Sequence, residues 1–171
     1  MMSSSDDQQV SGKGKNLKQV PDNTTVLRKT RRAARELTLN VLYQCDLGVP
    51  FEEALPVALK NANLGDLVTA KYDTSAYART YAEKLARGVR EQREQLDTII
   101  TGLARDWPLE RQPNVDRNLL RIALYEIIYE PDIPDAVSID EAIELANLYS
   151  TDDSGKFVNG ILAGYLRSRK S

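Results

Sequence analysis

Four arginines, Arg28, Arg31, Arg32 and Arg35, open the first strongly periodic stretch of the chain. Spaced i, i+3, i+4 and i+7, they share one face of a helix. Guanidinium groups grouped this way suit charge-assisted, bidentate binding of phosphate or carboxylate. The placement works against the helix, whose N-terminus already carries partial positive charge. A cation cluster there points to use on a polyanion. Lys29 adjoins it, and Lys13, Lys15 and Lys18 precede it. Residues 11–35 thus hold eight basic side chains against Asp22 alone, a net of +7, which leaves −9 for the rest of a chain of net −2. A basic arm on an acidic body is the pattern of a polyanion-binding element on a separately charged scaffold. The alternative is a solvated tail that binds nothing.

Much other chemistry is excluded. The chain has no histidine, so no Ser-His-Asp or Cys-His site and no histidine-ligated zinc site can be built. Cys45 is the sole cysteine, which rules out an intramolecular disulfide and any thiolate cluster. This cysteine usage fits the cytoplasm. Gly155-Lys156 fails as a P-loop, because Ser150 stands where a glycine is needed and Phe157 where Ser or Thr is needed. Asp152-Asp153 and the pair Asp132 and Asp135 lack the spacing of a calcium loop. Asp140, Glu141 and Glu144 form an acidic helix face, read as solvated or as a docking patch for a basic partner. No catalytic residue, metal or cofactor is expected, and the chain reads as a non-enzyme. No run of about 18 apolar residues is present, so no membrane span is expected. MMSSSDDQQV lacks the apolar core of a secretory signal.

The elements that must position the arginines are helical. Residues 1–26 are polar and low in apolar content, and read as a disordered basic tail. The domain proper is expected over 27–168. The spacing of Ala34, Leu37, Val41 and Cys45 predicts a helix from about 28 to 47, stopped by Gly48 and Pro50. A second helix is expected over about 51–63, with Pro56 at its start or at a kink. Residues 76–105 read as a long helical stretch, capped by Thr74 or Ser75 and broken near 90–95, with Trp107-Pro108 beyond its end. Residues 115–129 are apolar on most sides, as in a central buried helix, so Arg121 and Glu126 within it require partners. Ser138 and Glu141 match a capping box for the next helix, in which Ile139, Ala142, Leu145 and Tyr149 make the apolar stripe. A last helix is expected over about 154–168, with Phe157, Val158, Ile161 and Leu162 inward and Asn159 and Gly160 used in packing. No sustained period-two alternation occurs. The class is all-α, six or seven helices in one bundle or two bundle halves.

Two sets of residues carry a family resemblance. One is Arg31-Arg32-Ala33-Ala34-Arg35-Glu36-Leu37 with Leu42-Tyr43-Gln44. The other is Leu120 to Glu126, Ile133-Pro134, Ser138 to Ala146 and Lys156 to Leu162, in that order. In identity, order and spacing they resemble the NusB family over residues 28–166. The resemblance implies two packed three-helix bundles. It implies a transcription antitermination factor that binds boxA-type single-stranded RNA as a heterodimer with NusE, a ribosomal protein. It also implies entry into the RNA polymerase antitermination complex, notably on ribosomal RNA operons, and some relatives self-associate, which makes a homodimer possible.

Residue by residue, Arg31, Arg32 and Arg35 match the family's arginine-rich RNA-binding motif. Tyr43 matches a tyrosine near the RNA, and Asp153, Lys156 and Phe157 match positions beside the RNA path. Arg28 and Lys29 join them as neighbouring cations. Three departures stand out: Ala33 where a third consecutive Arg often occurs, Asp140 for a common Asn, and Gly155 for a common His. Bottom-up alternatives remain for several of these. Arg35 is as well suited to pairing with a body carboxylate, Tyr43 to core packing, and Phe157 has the spacing of a core residue. At the level of the whole chain, the alternatives are a helical adaptor without sequence-specific RNA recognition, or the helical domain of an RNA cytosine methyltransferase. The second needs an α/β domain that this sequence does not contain.

Overall fold

The computed structural model describes residues 24–69 and 71–171. Seven α-helices run through them: α1 Thr24–Asp46, α2 Phe51–Asn61, α3 Ser75–Glu91, α4 Arg93–Leu103, α5 Asn114–Tyr129, α6 Asp135–Tyr149 and α7 Ser154–Arg169. Single 3-10 turns lie at Gly65–Leu67 and Leu109–Arg111. Among the described residues the only β feature is an isolated bridge between Val68 and Asp73. None of these helices is long and apolar enough to cross a membrane.

Two three-helix groups pack together: α1–α3 at the N-terminal end and α5–α7 at the C-terminal end, with α4 laid on α5 and α7. The α5 helix is the shared axis. Eleven of its sixteen residues are buried, so it has no solvent face of ordinary width. Leu119, Leu120, Ile122 and Leu124 pack into one continuous core with Leu39 and Leu42 of α1, Leu85 and Val89 of α3, and Leu145 and Leu162 of α6 and α7. Burial at this scale, not helix propensity, holds such helices together.

Helix ends explain where the sequence misled. The α1 helix starts at Thr24, ahead of the expected position near 28. Val26 and Leu27 are half-buried, and the Thr30 hydroxyl joins the first turn to the body by donating to the Val26 carbonyl (2.7 Å) and pairing with the Thr74 hydroxyl (2.6 Å). Of the expected disordered tail, residues 1–23 lie outside the described residues. At the other end Gly48 adopts φ +97°, the left-handed conformation glycine takes freely. Pro56 sits inside α2, on its exposed side, and neither starts nor ends it. The break expected near 90–95 is a joint at Gln92, which closes α3 and opens α4.

The capping box is not formed. Pro134 precedes the first turn of α6, and its carbonyl accepts from Ser138 N at 3.3 Å, so Ser138 is already inside the helix. Its hydroxyl donates to Glu126 instead (2.9 Å), and Glu141 turns toward α1. Prolines stand at the same position before α2 and α5, where their fixed φ suits a helix entry.

Where α3 crosses α5, only glycine fits. A Cβ on Gly88 would lie 2.1 Å from Cζ of Tyr125, whose ring is buried and rests on Tyr129. Gly88→Ala must displace that ring, and it lowers stability by about 1–3 kcal/mol, the usual cost of overpacking. Urea denaturation reads this directly; an unchanged midpoint means the ring yields freely and the crossing is loose.

Candidate nucleic-acid interface

The arginine cluster occupies the first three turns of α1, but its members differ in what they meet. Arg35 is buried, and its Nε donates to both oxygens of Glu126 at 3.0 and 3.1 Å. Arg121, the other buried cation singled out in the sequence, is held by Asp97 (2.6 and 2.9 Å) and Asn118 (2.8 Å). Both interior charges are therefore paired, though Arg121 and Glu126 do not pair with each other. The Glu126 carboxylate also accepts from the Tyr81 and Ser138 hydroxyls, at 2.8 and 2.9 Å. Burial and this carboxylate push the Tyr81 phenol far above its ordinary range.

Arg28 and Arg32 reach across to α6. Arg28 Nε lies 3.3 Å from Glu141 and its Nη2 3.4 Å from Glu144. Arg32 Nη1 lies 3.8 Å from Glu141 and bonds Glu144. That bond holds the Glu144 carboxyl below the usual range. Glu141 is buried and stands within ion-pair distance of three arginines, the third being Arg35 at 3.7 Å. The acidic face of α6 is thus half absorbed by the chain's own cations. Lys29 is exposed, and neither it nor Arg31 has an ion pair among the described residues; Arg31 Nε lies buried with no hydrogen-bond partner.

Tyr43 lies fifteen residues beyond Arg28 on α1, about 22 Å at 1.5 Å per residue. It is 40% exposed and lines an open groove of about 700 Å³ between α1 and α2. Glu36, Asn40, Gln44, Asn63 and Tyr149 share that lining. Helical spacing puts Tyr149 on the apolar stripe of α6, but it is half-exposed at the last turn and donates to Glu36 at 3.1 Å. The helix outruns the core there, so spacing alone misplaces its final aromatic.

Asp153, Lys156 and Phe157 stand at the start of α7. Asp153 and Lys156 are exposed. Phe157 is half-buried, with its ring 4.6 Å from that of Trp107 at 58°. Trp107, 38% exposed, marks nothing more than a helix end when read from sequence. The loop ahead of α7 is pinned by Ser154, whose hydroxyl donates to Asp116 at 2.8 Å. Gly155 is buried, and a Cβ there would lie 2.1 Å from Oδ1 of Asn147, so any side chain at this position requires Asn147 to move. Asn159 and Gly160 are exposed and Gly160 meets nothing, so neither serves the packing expected of it. No hydrogen bond or ion pair among the described residues joins the start of α7 to the arginine cluster.

Comparison with known proteins gives a consistent result. The NusB family model matches residues 32–167. Transcription antitermination protein NusB of Symbiobacterium thermophilum is 41% identical over 142 residues, covering 82% of this chain and 92% of the relative. The Geobacter sulfurreducens protein of the same name is 42% identical over 133 residues, 77% of this chain and 90% of the relative. Among solved structures, T. maritima NusB superposes with a TM-score of 0.65 at 37% identity, covering 80% of this chain and 90% of that one. A structure of antitermination factors NusB and NusE with double-stranded RNA superposes at 0.67 and 26% identity, covering 82% and 98%.

Proposed function

Because the chain belongs to the NusB family, we propose that it acts as a transcription antitermination factor that binds boxA-type single-stranded RNA together with a NusE partner. Its place is then in the cytoplasm, on the RNA polymerase complex that transcribes ribosomal RNA operons, and its role is binding rather than catalysis. The basic residues ahead of α1 add phosphate attraction, and the helical domain over 24–169 does the recognition.

The observation that carries this reading is the exposed cationic start of α1. Lys29 and Arg31 have no carboxylate partner among the described residues, and Arg28 keeps 62% of its side chain in solvent. Single-stranded RNA asks for two kinds of contact, cations for phosphates and aromatic faces for splayed bases. Arg28, Lys29, Arg31 and Arg32 supply the first. Tyr43, and Phe157 backed by Trp107, supply the second, at about 1–3 kcal/mol for each stacked base. Lys156 and Asp153 precede Phe157 at the exposed start of α7 and add polar groups there. Arg35 belongs to this site as the buried residue that fixes α1 against α5 and α6.

A helical adaptor without sequence preference is the competing function, favoured by the carboxylates that already engage Arg28, Arg32 and Arg35. Fluorescence anisotropy separates the two. A labelled boxA-like RNA and a scrambled control are titrated at two salt concentrations, with and without NusE. Tighter binding of the boxA-like strand, sharpened by NusE and persisting at the higher salt, is the expected result. Equal binding of both strands that collapses with salt and ignores NusE leaves only phosphate attraction.

A further inference from the structure

We propose that Glu144 is an affinity-limiting residue of the RNA site, an internal competitor that occupies phosphate-binding donors of Arg28 and Arg32 until RNA displaces it. The proposal rests on the RNA-binding reading above and adds a residue from a different helix to that site.

Four observations support it. Glu144 contacts both arginines, Arg28 through Nη2 at 3.4 Å and Arg32 through Nη1. A carboxylate and a phosphate ask for the same guanidinium N–H groups, so each contact with Glu144 takes a donor that a phosphate would use. Glu144 has 46% of its side chain in solvent, whereas Glu141 beside it has 3%. The buried carboxylate is fixed and shared with Arg35, while the exposed one is free to swing away. Finally, Arg28 and Arg32 are only partly shielded, at 62% and 27% side-chain exposure, so an RNA strand reaches them from solvent.

The physical consequence is an exchange in place of a simple addition. A strand that offers phosphates alone must break the Glu144 ion pairs to form equivalent ones of its own, and its net benefit is small. A strand whose bases also stack on the aromatic residues binds more tightly, but it meets the same displacement cost. Glu144 therefore weakens binding of every RNA. The cost is the same for each strand that displaces the carboxylate, so it lowers affinity without changing the ratio between strands.

The test uses the full chain and the same two labelled RNAs. Glu144→Gln removes the charge while keeping size, and Asp132→Asn removes an exposed carboxylate of the α5–α6 connection that makes no ion pair among the described residues. Glu144→Gln is expected to tighten binding of the scrambled RNA by about two- to fivefold, the range of an exposed ion pair. The boxA-like RNA tightens by a similar factor, so the ratio between the two holds. The slope of log K against log salt steepens by about 0.7 for each further phosphate neutralised. Asp132→Asn leaves affinity and slope near those of the unmodified protein. Thermal melts of both variants establish that they are folded.

Glu144→Gln that binds no more tightly than the unmodified protein overturns the proposal, and so does an Asp132→Asn effect of equal size, which reduces the effect to net charge. Should the unmodified protein bind neither RNA, the RNA-binding reading fails first, which is a distinguishable result.

Discussion

Glu126→Ala is expected to remove about 3–5 kcal/mol of stability, the cost of breaking a buried ion pair from one side. Small domains have only about 5–15 kcal/mol in total, so this variant is expected to be partly unfolded at room temperature. Three side chains from three helices depend on the lost carboxylate: Arg35 of α1, Tyr81 of α3 and Ser138 of α6. Arg35 is the decisive one. With Glu126 gone, its nearest remaining carboxylate is Glu141 at 3.7 Å, and Arg35 is 2% exposed. A charge in that position has neither water nor a full partner. The double variant Glu126→Leu with Arg35→Met is expected to recover much of the loss, because both desolvation costs vanish together. Urea denaturation of the three proteins tests this. A single variant within about 0.5 kcal/mol of the unmodified protein, inside the range of an ordinary surface substitution, means the pair holds nothing.

That outcome bears on RNA as well. Arg35 lies in the family's RNA motif but points into the protein, so Arg35→Met should weaken apparent binding only in proportion to the unfolded fraction.

The opposite behaviour is expected of the outer cations. Replacing Arg28, Lys29 and Arg31 together by Gln is expected to weaken RNA binding on the order of a hundredfold, from three phosphate interactions at about 1 kcal/mol each. The salt slope should flatten by about 2, at 0.7 for each phosphate no longer neutralised. Stability should fall by no more than about 1 kcal/mol, since the substitutions remove only the ion pairs of exposed Arg28 with Glu141 and Glu144. Weaker binding at a nearly unchanged melting temperature is a signature that a structural role for these side chains cannot produce. Anisotropy across a salt series, with a melt of the same sample, measures both. An unchanged affinity and slope would place the RNA elsewhere on the molecule.

The helices were legible because period and punctuation agree along the chain. Val115 to Ile128 is apolar on most sides and forms the central helix, and the polar run at 90–95 holds the Gln92 joint. What sequence could not supply was pairing across distance. Arg31 and Arg35 are one helical turn apart and identical in type, yet only Arg35 pairs inward, because Glu126 waits 91 positions later. Arg28 and Glu141 are 113 residues apart, and no local pattern links them. The same holds for Trp107 and Phe157, whose rings meet only after α7 folds back beside the α4–α5 connection. The false capping box arose from a valid local rule, overridden by a proline that starts the helix one turn earlier.

The Arg35–Glu126 contact also dictates an order of events during synthesis. Translation runs at about 5–20 residues per second, so Arg35 is made roughly 5–18 s before its carboxylate exists. Through that interval α1 can form as a helix but has nowhere to lodge its inner guanidinium, and Ala34, Leu39 and Leu42 have no α5 to cover them. A helix made well before its buried partner is therefore among the last of the described helices to be locked in place. Over those seconds a chaperone that shields apolar helix faces, or a stalled ribosome, has the greatest leverage on whether the chain reaches its fold.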